Sequence, residues 1–127
     1  MTFSELLVEI QKLKREEHRL QTEDNLEVVI AKDCLEPVVK VLTEYFGPPL
    51  KPQGDAPSRE AKERAAPHGG IRKEQTMFFR QGEGVSECAL FWPWGSGTRV
   101  TVKIIQSKSS GADAGLFGAL KGLFGSK

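Results

Sequence analysis

With 127 residues, 28% of them charged and 39% hydrophobic, the chain has room for one ordinary domain with one core and lies outside the compositional regime of disorder. A formal net charge of +1 excludes the strong basic field by which a domain grips a nucleic-acid backbone. Cys34 and Cys88 have neither disulfide-framework nor metal-ligand spacing, and neither a basic leader nor a membrane-length apolar run is present. A reducing, cytoplasmic setting is the expectation.

From Phe3 to Leu20 the residues Phe3, Leu6, Leu7, Ile10, Leu13 and Leu20 recur at helical spacing behind Ser4 as a cap, predicting a helix over about 4–21. Read as heptads, the same stripe offers a short seam for a homodimer through residues 3–20; a helix covering its own core is the simpler reading. Leu26, Val28 and Ile30 alternate with Glu27 and Val29, which suggests an extra short strand over 26–31. Leu35, Val38, Val39, Leu42, Tyr45 and Phe46 form a second helical stripe, predicting a helix over about 34–46 that Gly47, Pro48 and Pro49 end. Pro37 leaves its start open between Asp33 and Glu36.

Residues 47–70, with Pro48, Pro49, Pro52, Gly54, Pro57 and Pro67, read as a mobile connection, and the spacing Pro49-Leu50-Lys51-Pro52 within it reads as linker. Ser58 with residues 60–66 allows a short helix there, broken by Pro67 and Gly69-Gly70. Beyond Gly70, three segments rich in β-branched and aromatic residues are separated by Gly82-Glu83-Gly84 and Gly95-Ser96-Gly97, predicting a three-stranded antiparallel meander over about 71–105. In its middle strand Cys88, Leu90 and Trp92 point one way and Ala89 and Phe91 the other, so both sides need cover. The whole reads as a single α+β domain over 1–107, the two helices packed on the sheet.

Catalysis needs a nucleophile with a base, paired carboxylates or a metal cluster, and no such spacing occurs. No cofactor or metal is expected. His18 and His68 read as solvated, and Cys34 as half-buried and structural. In Trp92-Pro93-Trp94 the first indole belongs to the core, whereas Trp94 either lids the end of the sheet or stands exposed beside Arg99 or Arg80, where it can stack on a ligand. Arg72, Lys73, Arg80, Arg99 and Lys103 with Phe78 sketch a basic-aromatic RNA surface, but Glu74 and Glu87 interrupt it and no RNA-binding signature lies in the strands.

Residues 108–127 combine a Ser/Gly-rich tether with Gly115-Leu116-Phe117-Gly118, repeated seven positions on as Gly122-Leu123-Phe124-Gly125. On a helical wheel Leu116, Phe117, Leu120, Leu123 and Phe124 share one side and the glycines the other. Such a glycine-rich segment is expected to stay disordered until something apolar covers the stripe, and as a helix of about 16 Å it can lie in a membrane interface but not span a bilayer. Gly115-Leu116-Phe117-Gly118-Ala119-Leu120 resembles the start of the influenza haemagglutinin fusion peptide, and the doubled Gly-Leu-Phe-Gly resembles nucleoporin repeats; these resemblances imply lipid insertion and weak multivalent protein contacts respectively.

The leading expectation is a small non-enzymatic protein-interaction module with an unidentified protein partner and a tail that folds on contact. A peripheral membrane protein that rests the tail on lipid as a transient interfacial helix is the alternative, and an enzyme assembled from residues distant in sequence is a third.

Overall fold

The computed structural model describes residues 1–108. Helix α1 spans Phe3–Gln11, and its cap is Thr2: the Thr2 hydroxyl accepts from the Glu5 amide at 3.1 Å while the Glu5 carboxylate accepts from the Thr2 amide at 2.8 Å. The predicted helix over 4–21 is thus corrected to half its length. Phe3, Leu6, Leu7 and Ile10 are buried, but from Lys14 to Glu17 no apolar side chain continues the stripe. The chain turns, the Glu16 amide donates to the Val29 carbonyl at 2.7 Å, and Glu17–Gln21 becomes strand β1. Leu20, read as a seam position, is 46% exposed on that strand.

Strand β2, Asn25–Ala31, confirms the suggested extra strand and pairs with β1. A 3₁₀ turn over Lys32–Cys34 leads into α2, Leu35–Phe46, which buries Val38 and Leu42 and ends at Gly47 with φ +83°. The 47–70 connection is structured: Ser58 caps α3, Arg59–Ala65, accepting from the Ala61 amide at 3.1 Å, and Gly69 ends the following 3₁₀ turn with φ +102°. The described residues therefore contain the short helix that Ser58 allowed, as a third beside the two expected to pack on the sheet.

Strands β3 (Thr76–Gly82), β4 (Val85–Pro93) and β5 (Arg99–Lys108) form the predicted meander, starting five residues later than expected. The hairpin of β1 and β2 adds to the free edge of β5, giving an antiparallel five-stranded sheet in the order β1-β2-β5-β4-β3 instead of three strands. One face packs Leu26, Val28, Ile30, Phe78, Ala89, Phe91, Val102 and Ile104 under α1 and α2. On the other face the buried alanines Ala61 and Ala65 bring α3 close to Met77, Cys88 and Leu90.

The connection is pinned at Lys51, whose backbone bridges Met77 of β3 and whose side chain is 1% exposed. Its ammonium donates to the carbonyls of Pro52 at 2.8 Å, Lys73 at 2.7 Å and Gln75. A buried ammonium that serves three acceptors is a structural pin; replacing it removes a donor from each, although the Gly54 and Asp55 amides still donate to the Lys73 and Pro52 carbonyls. Lys51→Met should lower the unfolding free energy by about 3 kcal/mol. Urea titration against the exposed-site control Lys62→Met, expected within about 0.5 kcal/mol of the parent chain, measures it.

Candidate binding surface

Because α3 lies over β3 and β4, no helix among the described residues covers the second face of the sheet along β1, β2 and β5, although Val29 and Thr101 are buried there. Strand pairing brings Glu17 of β1, Glu27 and Val29 of β2, and Arg99, Thr101 and Lys103 of β5 to this surface, and Arg19, at a register shift between His18 and Leu20, reaches it through its contacts with Glu27 and Trp94. All five residues of β1 are exposed, and among the described strands none pairs with its outer edge.

Two tryptophans border the open half. Trp92 stands where α3 gives way: a Cβ added at Gly69 would lie 3.8 Å from Trp92 Cζ2, and the Lys103 ammonium sits 4.5 Å from its ring centroid. Trp94, in the β4–β5 connection, folds back onto the sheet. Its indole N–H donates to the Thr101 hydroxyl at 2.9 Å, and the guanidinium groups of Arg19 and Arg99 each lie 5.7 Å from its ring. It is half-buried, so it both lids the sheet and offers the remainder of its ring. Glu16, Glu17, Val29, Trp94 and Arg99 surround a cleft of about 230 Å³.

The charges here are closed among themselves. Arg19 reaches Glu17 at 2.8 Å and Glu27 at 3.7 Å, Lys103 reaches Glu27 at 3.8 Å, and Arg99 reaches Glu16 at 3.5 Å. Three cations face three carboxylates, so the surface presents no excess field to a phosphate backbone. Exposed pairs of this kind each contribute only about 0–1 kcal/mol, so a ligand can exchange their partners cheaply.

Of the residues singled out with Trp94, the structure brings Arg99 to it and separates Arg80. Arg80 lies on the helix-covered face, 4.7 Å from the Tyr45 ring centroid and 3.8 Å from the Glu87 carboxylate. The proposed RNA surface is likewise divided: Phe78 is buried beneath α2, Arg72 pairs with Glu74 at 3.0 Å, and Arg99 and Lys103 are on the opposite face. Sequence reasoning missed Arg19, whose approach to Trp94 depends on β1. It also missed the tie in which the Tyr45 hydroxyl and the Gln106 amide donate to Glu87, the latter at 2.7 Å. Burial, reinforced by the Glu87 bond, pushes the Tyr45 phenol well above its ordinary range. The phase of Glu87 with Ala89 and Phe91 was the available signal, since it placed a carboxylate on an apolar face.

A second cavity, of about 250 Å³, lies between α3 and the sheet and includes Arg64, Pro67, His68, Phe79, Cys88 and Ser107 in its wall. His68 is half-buried rather than solvated; burial and then the Lys103 charge hold its imidazole below the usual range. Burial pushes the Cys88 thiol up to about 12, so it is a protonated, apolar wall and not a nucleophile. Cys34 is half-buried against the α1–α2 core. Among the described residues no group of three or more His, Cys, Asp or Glu is placed to hold a metal, and no helix is long and apolar enough to cross a membrane. The tail residues Leu116, Phe117, Leu120, Leu123 and Phe124 lie outside the described residues. No protein-family model, curated protein or solved structure matches this chain.

The His68 shift fixes the sign of a pH effect. Because the folded value lies below 6.5, the unfolded chain takes up the proton first; the stabilisation is present above pH 6.5 and is lost as pH falls through the folded value. Urea unfolding from about pH 7.5 to about pH 5 should show a steeper loss of stability in the parent chain than in His68→Gln.

Proposed function

We propose that this chain is a non-enzymatic protein-interaction module that receives an extended segment of a partner protein along the outer edge of β1, with partner side chains settling against Trp94. The observation that carries this reading is the conjunction of an exposed edge strand, whose outer side pairs with none of the described strands, with a half-buried indole held between two arginines. An edge strand supplies backbone donors and acceptors to an added strand, and the adjoining face supplies side-chain specificity. Aromatic and arginine side chains in such positions carry a disproportionate share of binding energy.

The charges on β1 shape the partner. Glu17, His18 and Arg19 discourage uncontrolled edge-to-edge association, as charged edges do, and favour a segment that brings its own acidic and basic side chains to trade with the Arg19–Glu17 and Arg99–Glu16 pairs.

Peptides selected from a random displayed library against the full chain provide the test. Their affinity, read by anisotropy of a labelled peptide, should fall about tenfold in Trp94→Ala and in Arg19→Ala, equivalent to about 1.4 kcal/mol, and be unchanged in Lys62→Ala. Binding indifferent to both Trp94 and Arg19 would contradict the reading.

A further inference from the structure

Strand register builds the floor of the cavity beneath α3 in two rows. Phe79 pairs with Cys88 and Cys88 with Ile105, which makes an apolar row. Two residues further along, Ser86 pairs with Ser107, and both hydroxyls share the face of Cys88. The roof is the last turn of α3 with the 3₁₀ turn that follows, where Arg64 and His68 stand one helical turn apart.

This wall holds more hydrogen-bonding capacity than the described residues use. Ser86, Ser107 and His68 are half-buried, and among the described residues no group bonds either hydroxyl or the imidazole. Burial and the Lys103 charge keep the imidazole neutral at pH 7, so it offers one N–H donor. Arg64 lies 3.9 Å from the Glu60 carboxylate, beyond hydrogen-bond distance, and its guanidinium is steadied 4.8 Å from the Phe79 ring centroid with its N–H groups available. The wall's carboxylate, Glu63, is engaged by Arg59 at 3.3 Å.

A carboxylate on a compact apolar body answers these groups. A guanidinium and two hydroxyls are donors for its oxygens, and the guanidinium bond is charge-assisted, which a neutral ligand forgoes. Phe79 and the protonated Cys88 take the apolar part. Glu63 in the same wall disfavours a second negative charge, so a monoanion fits better than a phosphate. An apolar cavity of roughly 150 Å³ accepts a benzene ring, and this one, at about 250 Å³, has room for a ring that bears a carboxylate.

We propose that the cavity between α3 and the sheet is a binding site for a small organic monoacid, its carboxylate held by Arg64, Ser86 and Ser107 and its apolar body lying against Phe79 and Cys88. None of these residues belongs to the Trp94 surface, so either reading can fail while the other stands. Benzoate and its neutral counterpart benzamide, titrated separately into the full chain and followed by amide NMR, test it. Benzoate should give saturable shifts at His68, Phe79, Ser86, Cys88 and Ser107 with a Kd of about 1 mM, in keeping with so small a ligand. Arg64→Gln, at an exposed position, and the double variant Ser86→Ala/Ser107→Ala should each raise that Kd about tenfold, and benzamide should bind at least about tenfold more weakly than benzoate. Absence of saturation by about 30 mM benzoate, an equal response to benzamide, an unaltered Kd in either variant, or shifts centred on Arg19, Trp94 and Arg99 would each overturn the proposal.

Discussion

The organising constraint is that β4 is apolar on both faces. Ala89 and Phe91 require cover on one side, Cys88 and Leu90 on the other, and all four are buried. Antiparallel pairing with β3 and β5 carries that demand across the sheet. A five-stranded sheet is about 19 Å wide, and a packed helix occupies about 10 Å of it. Helices α1 and α2 therefore suffice for the first face. Among the described residues a single helix, α3, is left for the second, and the half without a helix follows from that arithmetic.

The two halves of the second face meet water differently. Under α3, small alanines allow close approach and the buried thiol adds no charge. Along β1, β2 and β5, exposed and half-buried carboxylates and cations neutralise one another in loose pairs while two indoles keep partial cover. Such pairs are cheap to rearrange. The Glu87 tie on the opposite face is the contrast: its carboxylate is buried and held by Tyr45 and Gln106, fastening the end of α2 to the sheet.

Much of this architecture was legible in local pattern. The α2 stripe with its Gly47 stop, the alternation over 26–31, the meander turns, and even Ser58 as a cap were readable because each depends on neighbours in sequence. The end of α1 was not. Leu13 and Leu20 prolong the helical period on paper, and only pairing with β2 decides that Glu17–Gln21 is extended. The same long-range pairing carries Arg19 to Trp94, so the candidate surface was half visible: Trp94 and Arg99 stood out locally, whereas Arg19 did not. Of the two arginines offered beside Trp94, Arg80 lies on the other face, because strand phase alone does not reveal onto which face the Trp94 indole folds back.

The central claim is that β1 is a folded strand whose outer edge is taken by none of the described strands. Residue-resolved amide hydrogen exchange on the full chain tests it most directly. The account predicts slowest exchange in β4 and β5, intermediate protection for β1 amides bonded to β2, and exchange near the unprotected rate for β1 amides that point outward. Protection of the outward amides comparable to that of β5 would mean the edge is already occupied and would contradict the account.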